Sequence, residues 1–201
     1  MAPHIAPPHR LPVFRRSAIS LCRKLAYHTL TVIICLSLSF GLSSGQQSSK
    51  RTPDVHWEPT PYEAVTEMLK IAGVKKGDVV YDLGCGDGRI VIVAAKKFGA
   101  RGIGIDIDPQ RIAESNENAR AAGVTRRVAF REEDLFEADI HEATVVTLFL
   151  WPSLNLKLRP KLLKELKSGT RIVSYIHNMG DWPAEKQVTV GRREIYLWTI
   201  P

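Results

Sequence analysis

The hydrophobic positions after residue 77 alternate between short apolar runs and amphipathic segments, which is the pattern of a βαβ chain. Apolar runs rich in Val and Ile predict strands that are buried in a parallel sheet. The segments between them carry apolar residues at helical spacing and are bounded by Gly or Pro. The predicted strands are 79–83, 101–107, 127–131, 144–150, 170–176, 187–190 and 195–200, and the predicted helices are 62–72, 89–98, 109–122 and 154–166.

The last two apolar runs are separated by Gly191-Arg192-Arg193, which predicts a hairpin. Alternating strands and helices followed by a hairpin predict a Rossmann-like, doubly wound α/β fold. We therefore expect a seven-stranded sheet that is mostly parallel and has an antiparallel C-terminal hairpin strand. The sequence shows no internal repeats, so residues 54–201 are predicted to form one domain.

Residues 1–53 have a different character, because they are basic at first and then strongly apolar. Residues 25–42 are largely apolar and are followed by the small residues Ser43-Ser44-Gly45. This order predicts an N-terminal targeting or anchor segment with a linker. A cleaved secretory signal, a short membrane span and a mitochondrial address all fit the pattern. The chain is thus expected to be membrane-anchored through residues 25–42 or exported, or mitochondrial if it is eukaryotic.

The formal net charge of +7 belongs to this N-terminal segment, since it contains basic residues and no acid. Residues 54–201 hold 21 basic and 21 acidic side chains, so the domain itself is neutral and we expect no nucleic-acid partner. The three cysteines do not suggest a disulfide framework. No Cys or His cluster has metal-ligand spacing, so no metal site is expected.

The segment that carries the chemistry is a predicted strand that runs into Gly84-Cys85-Gly86-Asp87-Gly88 and then into a helix. Glycine has no Cβ, so the backbone of such a loop can approach a ligand closely. The following helix directs unpaired N–H groups and a positive dipole end toward the same place. The pattern predicts a nucleotide-like pocket at the carboxyl end of the sheet, with Cys85 as a small spacer.

Three acidic residues at strand ends indicate which ligand the pocket holds. Asp106 is placed to accept hydrogen bonds from a ribose diol, and Asp134 to meet the exocyclic amine of adenine. Asp106 alone would also fit NAD, but the glycine spacing is not G-x-G-x-x-G. Asp82 would repel a pyrophosphate, whereas it would attract the ammonium group of a methionine moiety. The predicted cofactor is S-adenosyl-L-methionine (SAM), bound by Asp82, Gly84, Cys85, Gly86, Gly88, Asp106, Ile107, Asp134 and Leu135.

Residues 82–92 resemble motif I of class I SAM-dependent methyltransferases. Over residues 55–201, the chain resembles the family of protein-lysine methyltransferases that act on the c ring protein of ATP synthase and on the adenine nucleotide translocase. The matching segments include Pro59-Thr60-Pro61, residues 133–136, Trp151-Pro152 and Asp181-Trp182. The resemblance implies methyl transfer to a lysine side chain, on a membrane-associated protein.

Candidates for lining the acceptor side are polar and aromatic residues near the predicted strand ends: Trp57, Tyr62, Trp151, Asn155, His177 and Asp181. Packing is the alternative for the aromatic residues, and a plain hydrogen-bonded histidine is the alternative to proton transfer by His177. No general base is assigned. Methylation of a small molecule or lipid, and SAM binding without catalysis, remain alternative functions. The basic residues of helix 154–166 are expected mainly to form its solvated face.

Overall fold

The computed structural model describes residues 57–201, so the predicted N-terminal targeting or anchor segment lies outside the described residues. Helices and strands alternate along the described part. The helices are α1 Tyr62–Ile71, α2 Arg89–Phe98, α3 Pro109–Ala122 and α4 Pro152–Glu165. The strands are β1 Val79–Leu83, β2 Arg101–Asp106, β3 Val128–Glu132, β4 Val145–Leu148, β5 Arg171–Tyr175, β6 Lys186–Val190 and β7 Arg193–Thr199.

The strands form one seven-stranded sheet in the order β3-β2-β1-β4-β5-β7-β6. Strands β1 to β5 are parallel to their neighbours, whereas β7 runs antiparallel to β5 and pairs with β6 as a hairpin. The predicted doubly wound sheet with an antiparallel C-terminal hairpin is confirmed. From β1 the chain continues to β2 and β3 on one side of the sheet and then crosses to β4 on the other side. The topological switch point therefore lies between β1 and β4.

The predicted helix bounds are close to those observed, and the main difference lies in α4. This helix begins at Pro152, two residues before the predicted start, with proline at its first position. Proline is favoured there because its missing N–H would have no intrahelical partner. A second proline, Pro160, lies inside the same helix. Within residues 57–201, no helix is long and apolar enough to cross a membrane.

The core lies on both faces of the sheet. One cluster packs α1 and α2 on the sheet through fully buried side chains such as Met68, Leu69 and Val91. The other packs α4 on the opposite face through Leu158 and Leu162. Burial of a large apolar side chain stabilises the fold by roughly 1.5–3 kcal/mol. The two clusters therefore hold the sheet rigid beneath the strand ends.

A buried ionic contact lies at the opposite end of the sheet, where the parallel strands begin. Asp78, which is 6% exposed, pairs with Arg171 of β5 and accepts hydrogen bonds from Thr144 Oγ1 and Lys75 N, each at 2.8 Å. The Arg171 guanidinium also donates to the carbonyl of Ala72 just after α1. Burial alone would raise the pKa of Asp78, but these hydrogen bonds and Arg171 outweigh it and lower the pKa. One carboxylate thus connects α1, β1, β4 and β5.

We predict that Asp78→Asn lowers the free energy of unfolding by about 2 kcal/mol, because the amide keeps only one acceptor oxygen and leaves Arg171 without a counter-ion. The free energy of unfolding is measured by urea denaturation. The pKa of Asp78 is lowered in the folded state, so the difference in free energy of unfolding between wild type and variant is fully present above the ordinary carboxyl pKa. This difference disappears as the pH falls through the pKa of Asp78 in the folded protein. Asp139→Asn is the control and should change the unfolding midpoint little, because the Asp139–His141 pair is exposed. Equal midpoints for all three proteins would contradict the assignment.

Candidate active site

A cavity of about 1260 Å³ opens at the carboxyl ends of the parallel strands, at the switch point beside β1. Doubly wound folds bind their ligands in this crevice. The cavity wall contains seven of the nine residues predicted to bind the cofactor: Asp82, Gly84, Cys85, Asp106, Ile107, Asp134 and Leu135. We call the part of the cavity beside Asp82, Asp106 and Asp134 the cofactor half. We call the part beside Phe149, Trp151 and His177 the acceptor half.

The glycine loop follows β1 and turns three times through left-handed backbone. Gly84, Gly86 and Gly88 have φ values of 84°, 54° and 78°, a region that favours glycine over every other residue. The loop is held to the end of β2, because the N–H groups of Gly84 and Cys85 donate to the Ile105 carbonyl at 2.8 and 2.9 Å. These turns bring bare backbone to the cavity.

The three glycines face different neighbours. A Cβ on Gly84 would lie 3.0 Å from the Leu150 side chain, and one on Gly88 would lie 2.6 Å from the Phe130 ring. A Cβ on Gly86 would lie 1.9 Å from the indole nitrogen of Trp57. Gly86 and Gly88 are therefore packing positions, and neither belongs to the cavity wall.

Asp82 lies on β1 with a buried carboxyl group at the cavity wall. Its register partner on β4, Thr147, donates to Oδ1 at 2.7 Å, while Oδ2 has no hydrogen-bond partner. Burial raises the pKa of Asp82 to about 7, and the negative charges of Asp106 and Asp87 act in the same direction. An orphaned acceptor of this kind is suited to a cationic ligand.

Asp106 is the last residue of β2, and it both lies on the cavity wall and accepts a hydrogen bond from the loop backbone. Its Oδ2 accepts from the Gly86 N–H at 2.9 Å, and its Oδ1 accepts from the Asp108 N–H at 3.0 Å. Burial raises the pKa of Asp106, and these backbone N–H groups oppose the rise. Asp134 lies in the segment after β3, where its Oδ1 accepts from the Phe136 N–H at 2.9 Å. The two carboxylates therefore have fixed orientations.

The segment of residues 57–60, which we call the strap, covers part of the cofactor half. Its Trp57 ring lies under the Arg111 guanidinium at 4.7 Å. Arg89 fastens the strap to the glycine loop, because it donates to the Thr60 carbonyl at 2.9 Å and pairs with Asp87 at 2.6 Å. The strap, the loop and α2 are therefore connected through one guanidinium.

Aromatic side chains form the wall of the acceptor half. The His177 ring stacks between Phe149 and Trp151, with centroid distances of 6.4 Å to each. Trp151 is 59% exposed and directly precedes α4. Burial lowers the pKa of His177, and the charge of Arg193 lowers it further, so the imidazole is neutral at pH 7.

Backbone strain orients His177. Its N–H donates to the Tyr175 carbonyl at 2.8 Å, which closes a three-residue turn around Ile176 with φ at 68°. A β-branched residue rarely adopts this conformation, and such outliers concentrate at functional sites. Buried Ser174 and Asn155 stabilise the turn, because Ser174 Oγ and Asn155 Nδ2 donate to the His177 carbonyl at 2.6 and 3.2 Å.

Three of the six predicted acceptor-side residues, Trp57, Trp151 and His177, lie on the cavity wall, and the other three do not. Asn155 is fully buried beneath the His177 turn. Tyr62 is exposed and packs on the Arg89 guanidinium at 5.0 Å. Asp181 is exposed and pairs with Arg159 of α4. Tyr62, Asn155 and Asp181 therefore lie off the cavity wall in this structure, and their contact with an acceptor stays a prediction.

Phe149, Arg111 and Arg193 are among the residues of the cavity wall that sequence analysis missed. Phe149 lay within a predicted strand and was given no separate role. Arg111 lies in the first turn of α3, and only its place after the predicted ribose acid could have suggested it. Arg193 reaches the wall because β7 returns beside β5, which no local motif indicates.

Comparison with known proteins assigns the site to a family. The family model described as the ANTKMT methyltransferase domain matches residues 82–186. The chain is 45% identical over 153 residues to a protein-lysine N-methyltransferase of Saccharolobus islandicus, a match that covers 74% of this chain and 95% of that protein. It is 31% identical to the adenine nucleotide translocase lysine N-methyltransferase of Mus musculus, a match over 68% of this chain and 59% of that protein. The chain thus spans little more than half the length of this mouse relative.

A solved structure supports the same assignment. An RNA methyltransferase from Salinibacter ruber, in complex with S-adenosyl-L-homocysteine, is 53% identical with a TM-score of 0.71. The match covers 72% of this chain and 94% of that one. The predicted resemblance and the predicted cofactor are confirmed. The chain is thus a SAM-dependent methyltransferase and belongs to the family of the ANTKMT methyltransferase domain.

Proposed function

We propose that the protein is a protein-lysine N-methyltransferase whose target is a membrane-associated protein. The observation that carries the proposal is the match to a protein-lysine N-methyltransferase over nearly the whole of that relative. The mouse relative, named for a lysine of the adenine nucleotide translocase, supports the choice of target. The predicted hydrophobic segment of residues 25–42, which lies outside the described residues, would place the chain beside such a target.

The cofactor half has the donor and acceptor groups that SAM requires. We assign the methionine ammonium to Asp82, whose Oδ2 is buried without a partner. The ribose hydroxyls fit Asp106, and the adenine fits the wall of Ile107, Asp134 and Leu135. Gly84 and Cys85 supply backbone next to this wall. Burial raises the pKa of the Cys85 thiol well above its ordinary value, so this cysteine acts as a compact neutral spacer.

The acceptor half suits the chemistry of an amine. Bound SAM supplies a methyl group on its sulfonium, and a neutral amine attacks this methyl in line while the sulfur leaves as a neutral thioether. A lysine with an ordinary pKa of about 10.4 must therefore lose its proton first. The cation of Arg193 on the same wall disfavours the charged ammonium, and the rings of Phe149 and Trp151 supply apolar surface for the alkyl chain of the lysine. We propose His177, a neutral imidazole on this wall, as the proton acceptor.

RNA methylation is the second candidate, because the Salinibacter ruber relative carries that name at 53% identity. The exposed Trp151 could stack on a base. RNA-binding domains usually carry excess positive charge, whereas residues 54–201 hold equal numbers of basic and acidic side chains. This charge balance favours the protein substrate.

We predict that Asp106→Ala weakens SAM binding by about 10- to 100-fold, because charged hydrogen-bond acceptors typically contribute ~1.5–3 kcal/mol. Calorimetry with SAM measures the change. Asp106→Glu keeps a carboxylate at the end of β2 and should retain most of the affinity. Wild-type affinity in Asp106→Ala, or tight binding of NAD in place of SAM, would refute the assignment of the cofactor half.

Asp82 should make SAM binding depend on pH. At pH values below about 7 the carboxyl group is largely protonated, and binding of a cation requires its ionised form. Affinity should therefore rise by up to about tenfold per pH unit below pH 7 and then level off. Asp82→Asn should bind more weakly and lose this dependence. Because both proteins bind the same ligand, the comparison cancels titration of the ligand itself. Parallel pH profiles for the two proteins would exclude Asp82 as the ammonium partner.

Incubation of the full chain with methyl-labelled SAM tests the choice of acceptor. Separate reactions contain a membrane fraction, total RNA or a metabolite and lipid extract, and mass spectrometry locates the added methyl groups. We expect methylation of lysine in a membrane protein, with loss of the signal in Asp106→Ala. Label confined to RNA would support the second candidate, and label confined to the extract would identify a small-molecule enzyme. SAM binding without any transfer would indicate a non-catalytic SAM-binding module.

A further inference from the structure

Exposed apolar side chains are concentrated on and beside α4. Among residues 57–201, the large apolar side chains that are well exposed are Tyr62, Trp151, Leu156 and Leu163. Leu156 and Leu163 lie two turns apart on α4, and Trp151 directly precedes it. Their exposed fractions are 59% for Trp151, 48% for Leu156 and 43% for Leu163. Exposed apolar residues gathered in one place mark an interaction surface more often than scattered ones do.

The same side of α4 is cationic. We define the outer face as seven of the exposed residues of the helix and its end: Ser153, Leu156, Lys157, Pro160, Leu163, Lys164 and Lys167. These positions contain three lysines and no acid. The other basic residues of the helix are neutralised, because Arg159 pairs with Asp181 and Lys161 pairs with Glu165. Lys157 also covers the Phe136 ring at 4.0 Å. The outer face therefore combines apolar area with unneutralised positive charge.

We propose that the outer face of α4 binds the surface of an anionic membrane. Leucine side chains can enter the boundary between headgroups and acyl chains, while lysines extend their ammonium groups to lipid phosphates. Each lysine close to an anionic surface adds attraction that salt weakens. Single-stranded RNA is a poorer fit, since such binding usually combines cations with several stacking aromatic rings. On the outer face, the residues between the lysines are leucine, proline and serine.

The position of α4 gives this contact a functional consequence. Trp151, which directly precedes the helix, lies on the wall of the acceptor half. A membrane bound along α4 would therefore lie beside the mouth through which an acceptor enters. This inference goes beyond the proposed function and does not rest on it, because lipid binding requires no methyl transfer.

The experiment uses the full chain on vesicles of phosphatidylcholine with or without phosphatidylglycerol. Residues 25–42 could attach the chain to any vesicle, so the readout must report the position of α4 rather than attachment. Ser153→Cys carries an environment-sensitive fluorophore in a Cys22→Ser, Cys35→Ser background, where the buried Cys85 is inaccessible. We expect a blue shift and quenching by lipid-borne quenchers on vesicles that contain phosphatidylglycerol, and little change on phosphatidylcholine alone. Added salt should reverse the shift.

Matched charge reversals provide the control. Lys164→Glu with Lys167→Glu should abolish the shift, whereas Lys96→Glu with Lys97→Glu near the end of α2 changes the net charge equally and should preserve it. A second label at Lys96→Cys should stay in an aqueous environment throughout. The proposal fails if both double variants behave alike, or if the shift is the same without anionic lipid. It also fails if RNA or an acidic membrane protein produces the shift and protein-free vesicles do not.

Discussion

The turn from β1 into α2 is the constraint on which the rest of the site depends. Three glycines in five residues adopt left-handed backbone, and the loop they form is hydrogen-bonded to the end of β2. Side chains at these positions would strain the turn or collide with Leu150, Trp57 or Phe130. Because the loop is fixed, the acids of β1 and β2 are held beside one cavity. The same loop carries Asp87, through which the strap is attached.

Charge is distributed unevenly around that cavity. Acidic side chains gather in the half next to β1 and β2, where low exposure raises the pKa of Asp82 and of Asp106. The other half has stacked rings and the cation of Arg193, which together hold His177 neutral. The carboxylates therefore attract positive charge to one half, while Arg193 disfavours it near its own side chain in the other. This polarity gives the two binding regions opposite preferences for charge.

The sequence predicted the sheet, and the acids that meet at the cavity beside β1, because both arise from local signals. Strand β1 and helix α2 lie where the apolar runs placed them, and Asp82 and Asp106 follow directly from the strand ends. The acceptor half depends on distant segments that meet only in the fold. Asn155 is buried and donates to a backbone carbonyl, and Asp181 pairs with Arg159. Arg193 reached the wall through antiparallel pairing, and the strain at Ile176 has no sequence signature.

The attachment of the strap by Arg89 couples two parts of the chain that would otherwise act separately. The guanidinium binds the Thr60 carbonyl on one side and Asp87 of the glycine loop on the other. The strap is also the stretch through which everything N-terminal to the domain is connected to it. Free-energy coupling is reciprocal. A ligand that stabilises the loop should therefore also stabilise the strap, and a force that pulls the strap away should lower the affinity for that ligand. Cofactor binding and attachment of the strap to the loop are then expected to depend on each other.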